Sequence, residues 1–173
     1  MRDRQPVVAF QERMPVQAAA KAHRGIDIAP GLVQSATAPP VEKERRVFSH
    51  IMVGTDDLEA SKKFYDAVLG TLGVKPGRDD PGKNRIFWAA PNGMFGVTKP
   101  IDGKSACHAN GGTIGFAADS PEQADRWHAA GVANGGTSCE DAPGVRDMGA
   151  FKLYLAYLRD PDGNKLCAMY RVP

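Results

Sequence analysis

A chain that repeats its own pattern at a fixed offset is built from two copies of one supersecondary unit, and this sequence carries such a repeat. Shifted by 63 positions, Ile51 meets Ile114, Asp56 meets Asp119, Glu59 meets Glu122 and Lys63 meets Arg126. Phe64 then meets Trp127, and Ala67 meets Ala130. The matches fall in phase on a strand, a helix cap and a helix face. They imply two tandem β-α-β-β-β units of about 60 residues each. Each unit gives a curved sheet with one helix on its outer face. The inner faces must then cover each other or enclose a ligand.

The elements of the first unit follow from local pattern. Val47–Val53 is a short apolar run suited to a strand. Thr55 or Asp56 caps a helix from about Asp57 to Leu69, with Leu58, Phe64, Ala67 and Val68 as its buried stripe and Gly70 and Gly73 ending it. Arg85–Ala90 and Met94–Thr98 flank Pro91-Asn92-Gly93, where Asn-Gly signals a tight hairpin. In the second unit Thr113–Ala118 is a strand. Ser120-Pro121-Glu122-Gln123 opens a helix with Ser as N-cap, Pro at its first position and Gln at its third. That helix ends near Gly135-Gly136. Leu153–Arg159 and Lys165–Arg171 are strands around the turn Asp160-Pro161-Asp162-Gly163.

Residues 1–46 read differently. They hold five prolines, eight Lys/Arg and five Asp/Glu, a net charge of +3, and no periodic apolar face beyond a short helical stretch, Gln11 to Arg24, broken by Pro15. They read as a flexible N-terminal extension, and 47–173 as one domain. A partner-binding or targeting arm is the other reading of the extension, although its five acids argue against a transit peptide. The remaining residues carry 14 basic and 15 acidic side chains with no basic face, so nucleic acid is not an expected partner. No apolar run approaches the ~20 residues of a membrane span. Cys107, Cys139 and Cys167 are odd in number and lack CxxC spacing, which suits free thiols in a reducing cytoplasm.

Phe48-Ser49-His50-Ile51 opening the first unit, Phe64-Tyr65 in its helix and Asp160-Pro161-Asp162-Gly163-Asn164-Lys165-Leu166 before the last strand give residues 47–171 a resemblance to a known family. The arrangement resembles the vicinal-oxygen-chelate superfamily of glyoxalase I, extradiol dioxygenases, fosfomycin-resistance and bleomycin-binding proteins. Pro100-Ile101-Asp102-Gly103, Gly111-Gly112-Thr113 and Pro143-Gly144-Val145-Arg146 look like segments of its bacterial glyoxalase-like members of unassigned substrate. The resemblance implies an α+β fold in which the two βαβββ modules form a curved-sheet barrel. It also implies a homodimer. Metal-using members place four ligands inside that barrel. Here those places fall on His50, on Gly96 or Val97, on Thr113 and on Cys167. Only a histidine and a cysteine among these bind metal well, whereas zinc catalysis usually needs three protein ligands and an open position. Both glutamate places are empty, so the carboxylate base of glyoxalase chemistry is missing. The two-His-one-carboxylate face of an iron dioxygenase is missing as well.

The expectation is therefore a cytoplasmic glyoxalase-like protein that binds a small, partly apolar ligand with no tightly held metal and no cofactor. A lyase or isomerase of the lactoylglutathione-lyase type, with an atypical or absent metal site, is the alternative. His50, Trp88, Thr113, Arg146 and Cys167 are the expected ligand-binding residues. His50 is open to three roles: ligand remnant, substrate hydrogen-bonder or packed histidine. Trp88 and Phe95 would line a pocket or fill the barrel. A Pro-Gly-Val-Arg loop would hold Arg146 at the barrel mouth for an anionic group, or leave it a surface arginine. Cys167 reads as a small buried residue ahead of a nucleophile. The pocket should lie inside the barrel, with His50, Thr113 and Cys167 converging on it. His108 reads as exposed in the inter-unit loop, and His128 as structural. At most one of Tyr154 and Tyr157 faces inward.

The extension should contribute little stability, because five prolines and no apolar stripe leave it little surface to bury. A chain starting at Arg46 is expected to melt within a few degrees of the full chain. A loss of roughly 3 kcal/mol or more, beyond the surface-substitution range, would refute this.

Overall fold

The repeat is written into the strand order. The computed structural model describes residues 48–173, which fall within one compact unit, Lys43–Pro173. The expected extension 1–46 and the start of the first predicted strand at Val47 lie outside the described residues. In the first module β1 (His50–Gly54) is followed by α1 (Leu58–Thr71), β2 (Arg78–Asp80), a 3-10 turn (Pro81–Lys83), β3 (Arg85–Ala90) and β4 (Gly93–Thr98). The sheet order is β1-β4-β3-β2, with β1 parallel to β4 and the other pairs antiparallel. The second module has β5 (Ile114–Ala117), α2 (Pro121–Ala133), β6 (Thr137–Ser138), β7 (Gly144–Asp147), β8 (Lys152–Arg159) and β9 (Lys165–Val172). Its order is β5-β9-β8-β6, with β5 parallel to β9 and β7 also paired to β8. The modules thus share one topology, except that the edge strand after the helix, β2 in the first, is split into β6 and β7 in the second. The fold is α+β, as expected. The sheets are not closed into a hydrogen-bonded barrel: no ladder joins β1 to β5 among the described residues.

Local chemistry explains the helices. Ser120 caps α2 by accepting from Gln123 N at 3.2 Å, Pro121 stands in the first turn, and the Gln123 side chain accepts from Asp119 N at 2.6 Å. The cap of α1 is Asp57, whose carboxylate accepts from Glu59 N and Ala60 N, one residue later than the sequence indicated. Thr55 is instead fully buried, with its hydroxyl 2.7 Å from Ser61 Oγ. Gly73 (φ 79°) follows the end of α1 in the left-handed conformation that glycine favours. The first hairpin turns on Pro91-Asn92 rather than on Asn92-Gly93, since Ala90 pairs with Gly93. Among the described residues no helix is long and apolar enough to cross a membrane.

Both helices lie on one side of the sheets and share one core. From α1 come Phe64, Tyr65, Val68 and Leu69, and from α2 Ala124 and Trp127. Trp88, Phe95 and Val97 enter from the first sheet, and Leu158, Leu166 and Ala168 from the second. A chain of ring contacts crosses the module boundary: Tyr65–Phe95 at 4.6 Å, Phe95–Phe116 at 5.5 Å and Phe116–Trp127 at 6.3 Å. Gly131 permits the approach of α2, because a Cβ there would lie 2.2 Å from Leu158 Cδ1.

The second tie between modules is polar and buried. In the β8–β9 turn, Asp160 Oδ2 accepts from Tyr65 Oη at 2.6 Å and from Asn164 Nδ2 at 2.9 Å. Its Oδ1 accepts from the backbone N–H groups of Asp162 at 3.0 Å and Asn164 at 2.8 Å. Asp162 reaches across to accept from Asp56 N at 2.9 Å and Ser61 Oγ at 3.2 Å. Burial raises the Asp160 pKa, against the lowering effect of these donors. Burial, and then the neighbouring Asp160 carboxylate, hold the Tyr65 hydroxyl well above the ordinary tyrosine value.

Tyr65→Phe is expected to destabilise the protein by about 1–3 kcal/mol, the cost of a buried acceptor losing its donor. The cost should grow with pH. A native carboxyl with a raised pKa keeps a proton that the unfolded chain has released, so its stability contribution falls as pH rises through that window. Removing the Tyr65 donor pushes the window further up. Urea unfolding near pH 4 and at pH 7 checks this, and an equal loss at both would count against it.

Candidate functional site

Strand alternation sorts the side chains of both sheets onto two faces. In β1, Ile51 and Val53 pair with Phe95 and Val97 and face the helices. His50 and Met52 face away, beside Met94 and Gly96. In the second sheet Ile114 and Phe116 join Leu166 and Ala168 on the helix side. Gly115 and Ala117 join Cys167 and Met169 on the other. His50 and Cys167 therefore both lie on helix-free faces.

Among the described residues β1 and β5 each have one unpaired edge, and a cavity runs between the two modules there. It measures about 570 Å³. Phe48, Leu69, Trp88, Phe95 and Phe116 form apolar walls, and Ser49, His50, Asn92, Asp119 and Gln123 supply polar groups. The wall is rigid where Trp88 stands. Its indole Nε1 donates to Asp66 Oδ1 at 2.8 Å, and that oxygen also accepts from Gly77 N at 2.7 Å. Burial pushes the Asp66 pKa up, but these bonds and Lys62 bring it net below the usual carboxylate value. His50 is exposed, its Nδ1 2.9 Å from Ser49 Oγ.

The five expected site residues are not brought to one point. His50 and Trp88 border the seam cavity. Trp88 does so from the helix side, 1% exposed in the shared core, and not from a barrel interior. Thr113 precedes β5, is exposed, and lines a separate cavity of about 160 Å³ with His108, Arg159 and Lys165. Cys167 pairs with Gly115, two residues further along. It is 5% exposed, and burial raises its thiol pKa. Pro-Gly-Val-Arg is not a loop at a mouth: Gly144–Asp147 is β7, and Arg146 folds back to donate to Ala142 O at 2.8 Å. Of the two tyrosines of β8, Tyr157 is the one that faces Cys167 across the β8–β9 pair, and it lies under Lys165 Nζ at 4.8 Å from its ring centroid. Tyr154 has the opposite parity and donates to Asp125 Oδ1. His128 sits 2.9 Å from Ser138 Oγ, and burial lowers its pKa, as suits a structural histidine.

The metal implied by the resemblance does not fit these residues. Gly96, and not Val97, shares the His50 face, since Val97 is fully buried in the core. A Cβ at Gly96 would lie 2.4 Å from Met52 Sδ and 2.9 Å from the Phe87 ring. Among the described residues no three His, Cys, Asp or Glu side chains are grouped to hold a metal ion.

Comparison with known proteins bears on this geometry. The family model of the Glyoxalase/Bleomycin resistance protein/Dioxygenase superfamily matches residues 47–168. A glyoxalase/bleomycin resistance protein from Albidiferax ferrireducens is 64% identical, with 72% of this chain and 98% of that one covered at a TM-score of 0.69. A glyoxalase-related enzyme from Fulvimarina pelagi is 19% identical over 70% of this chain and 86% of that one, TM-score 0.53. A glyoxalase/bleomycin resistance protein/dioxygenase family enzyme from Burkholderia phytofirmans is also 19% identical, over 70% and 95%, TM-score 0.54. These two share the fold. No curated protein matches the chain.

Elemental analysis of protein purified from metal-supplemented medium is expected to find far less than one zinc, nickel or iron per chain. Stoichiometric metal that is lost in His50→Ala would overturn the donor-set argument.

Proposed function

Since the chain belongs to the Glyoxalase/Bleomycin resistance protein/Dioxygenase superfamily, we propose that it binds a small, partly apolar molecule in the seam cavity between its modules, without a tightly held metal. The observation that carries this reading is the cavity itself. Its volume of about 570 Å³ falls within the roughly 300–1,000 Å³ of small-molecule sites. Its make-up is also that of such a site: aromatic and aliphatic walls with a few polar groups to fix orientation. Burying apolar ligand surface against Phe48, Trp88, Phe95 and Phe116 supplies the affinity, at about 25 cal/mol per Å² before the costs of association. Asn92 offers an amide group to a polar end.

A homodimer is part of the proposal. Met94 and Met169 on the helix-free faces are 45% and 42% exposed, and Val145, Met148 and Phe151 around β7 and β8 are 42–52% exposed. These open apolar side chains are surface that a second copy of the chain would cover. The three free cysteines suit the reducing cytoplasm proposed as its place of work. One observation favours the lyase or isomerase alternative: His50 and Asp119 border the same cavity, which gives it two groups able to move a proton.

Gly115 offers a direct test. It lines the cavity, and a Cβ built there meets nothing within 4 Å. Gly115→Leu should therefore obstruct the cavity from its helix-free side without a clash, leaving the melting temperature within a few degrees. Binding of the neutral dye Nile red, read by fluorescence, should weaken at least ~10-fold, about 1.4 kcal/mol. Unchanged dye binding in a folded Gly115→Leu protein would remove the seam cavity as the site.

A further inference from the structure

The cavity of about 160 Å³ at the base of the β8–β9 hairpin has a different chemistry from the seam. Arg159 and Lys165 are register partners at the end of β8 and the start of β9, so both side chains project from the same face of the sheet. Like charges directly opposite each other on neighbouring strands are destabilising. Both contribute to the cavity wall, and the segment His108–Thr113 closes over them. His108 is seated against Gly163, where a Cβ would lie 2.8 Å from its Nδ1; Gly163 (φ 86°) both makes the turn and leaves room for the imidazole. Among the described residues no carboxylate lines this cavity. Glu140 contacts Lys165 but is not part of the wall, and one Arg159 nitrogen is taken by Gly163 O at 2.7 Å. Arg159, Lys165, His108, Asn110 and Thr113 give the wall several hydrogen-bond donors, and about 160 Å³ is room enough for one small oxyanion; the Lys165 ammonium also lies over the Tyr157 ring, 4.8 Å from its centroid.

We propose that this cavity is an oxyanion site, taking a phosphate or carboxylate group between Lys165 and Arg159 under the His108–Thr113 segment. An anion there relieves the cross-strand repulsion and accepts charge-assisted hydrogen bonds from both cations. Arg159 supplies planar, directional donors and Lys165 a mobile point charge. Glu140 competes with the anion for Lys165. The site is separate from the seam cavity, and the ligand-binding reading given for the seam is not needed for it.

Inorganic phosphate titrated into the full chain at constant ionic strength, with chloride as control, is the experiment. Amide resonances of residues 108–113 should shift, and the dissociation constant should rise at least ~10-fold in Lys165→Gln. His108→Ala should weaken binding several-fold. Glu140→Gln should tighten it, a sign that a merely structural ion pair would not give, and this variant keeps the test open if Lys165→Gln does not fold. Phenyl phosphate and benzoate separate the sources: tighter binding than phosphate identifies the head group of a larger ligand, equal or weaker binding a free anion. Shifts no larger with phosphate than with chloride, phosphate affinity unaltered in Lys165→Gln, or weaker binding in Glu140→Gln would each overturn the proposal.

Discussion

The position of one module against the other depends on the buried carboxylate of Asp160. It accepts four hydrogen bonds, two from its own turn backbone, one from Asn164 Nδ2 and one from Tyr65 of the opposite module. A carboxylate 4% exposed is costly unless its oxygens are saturated, and here they are. The same turn sends Asp162 to the backbone of Asp56, and Asn164 to the carbonyl of Gly54 at 3.3 Å. Asp56 in turn holds Ala106 of the inter-module segment at 2.6 Å. The end of β1, the start of β9 and the linker are thereby locked together. Replacing Asp160 by any residue with fewer acceptors loosens all three at once.

That lock explains why the cavity lies where it does. The edges of β1 and β5 face each other with no hydrogen-bonded ladder between them. At the Gly54 end they are clamped by the Asp160 turn. At the other end Phe48–Ile51 and Gly115–Ala117 stand apart, and the space between them is lined rather than filled. The helices cannot close it, because Gln123 Nε2 already bonds Thr71 O at 3.1 Å and fixes the end of α1 against the start of α2. A fold clamped at one end of its seam keeps a ligand-sized opening at the other without a loop having to move. Such a fold can carry many functions on one frame, so the function has to be argued from the seam and not from the topology.

The topology was legible in the sequence because each of its signals is local. Ser120-Pro121-Gln123 satisfies the first turn of α2 with its own side chains, and alternation places Ile51 and Val53 of β1, and Ile114 and Phe116 of β5, toward the core. The hydrophobic stripe of α1 was read only in part. Tyr65 and Ser61 are buried because their partners, Asp160 and Asp162, lie 95 and 101 residues away, and no helical period encodes that. The face that Trp88 takes stays open in the sequence for a related reason. Arg85–Ala90 carries two large rings in succession, Phe87 and Trp88, and alternation alone cannot say which turns to the helices. The acceptor Asp66 decides it, 22 residues upstream on α1. The β7 strand, with its exposed Val145 and inward-folded Arg146, has the composition of a turn and becomes a strand only by pairing with β8.

The helix-free face of the first sheet carries Gly96, one of the places that the resemblance assigns to a metal ligand. Gly96 leaves a gap opposite Met52, and the Met52 thioether and the Phe87 ring enter it so closely that no Cβ can be added without moving them. Thioethers adapt to irregular space better than branched side chains, which suits Met52 to this role. The two positions therefore act as one unit. Gly96→Glu alone places a carboxylate against sulfur and ring atoms, and Met52→Ala alone leaves a hole beside Gly96. Only the pair restores room for a charged group next to His50. Residues that share packing atoms in this way give non-additive free energies. A single substitution toward the metal-ligand pattern therefore meets a packing penalty before it gains a ligand, and neither Thr113, a poor ligand lining a separate cavity, nor Cys167, whose thiol burial holds protonated, offsets that penalty.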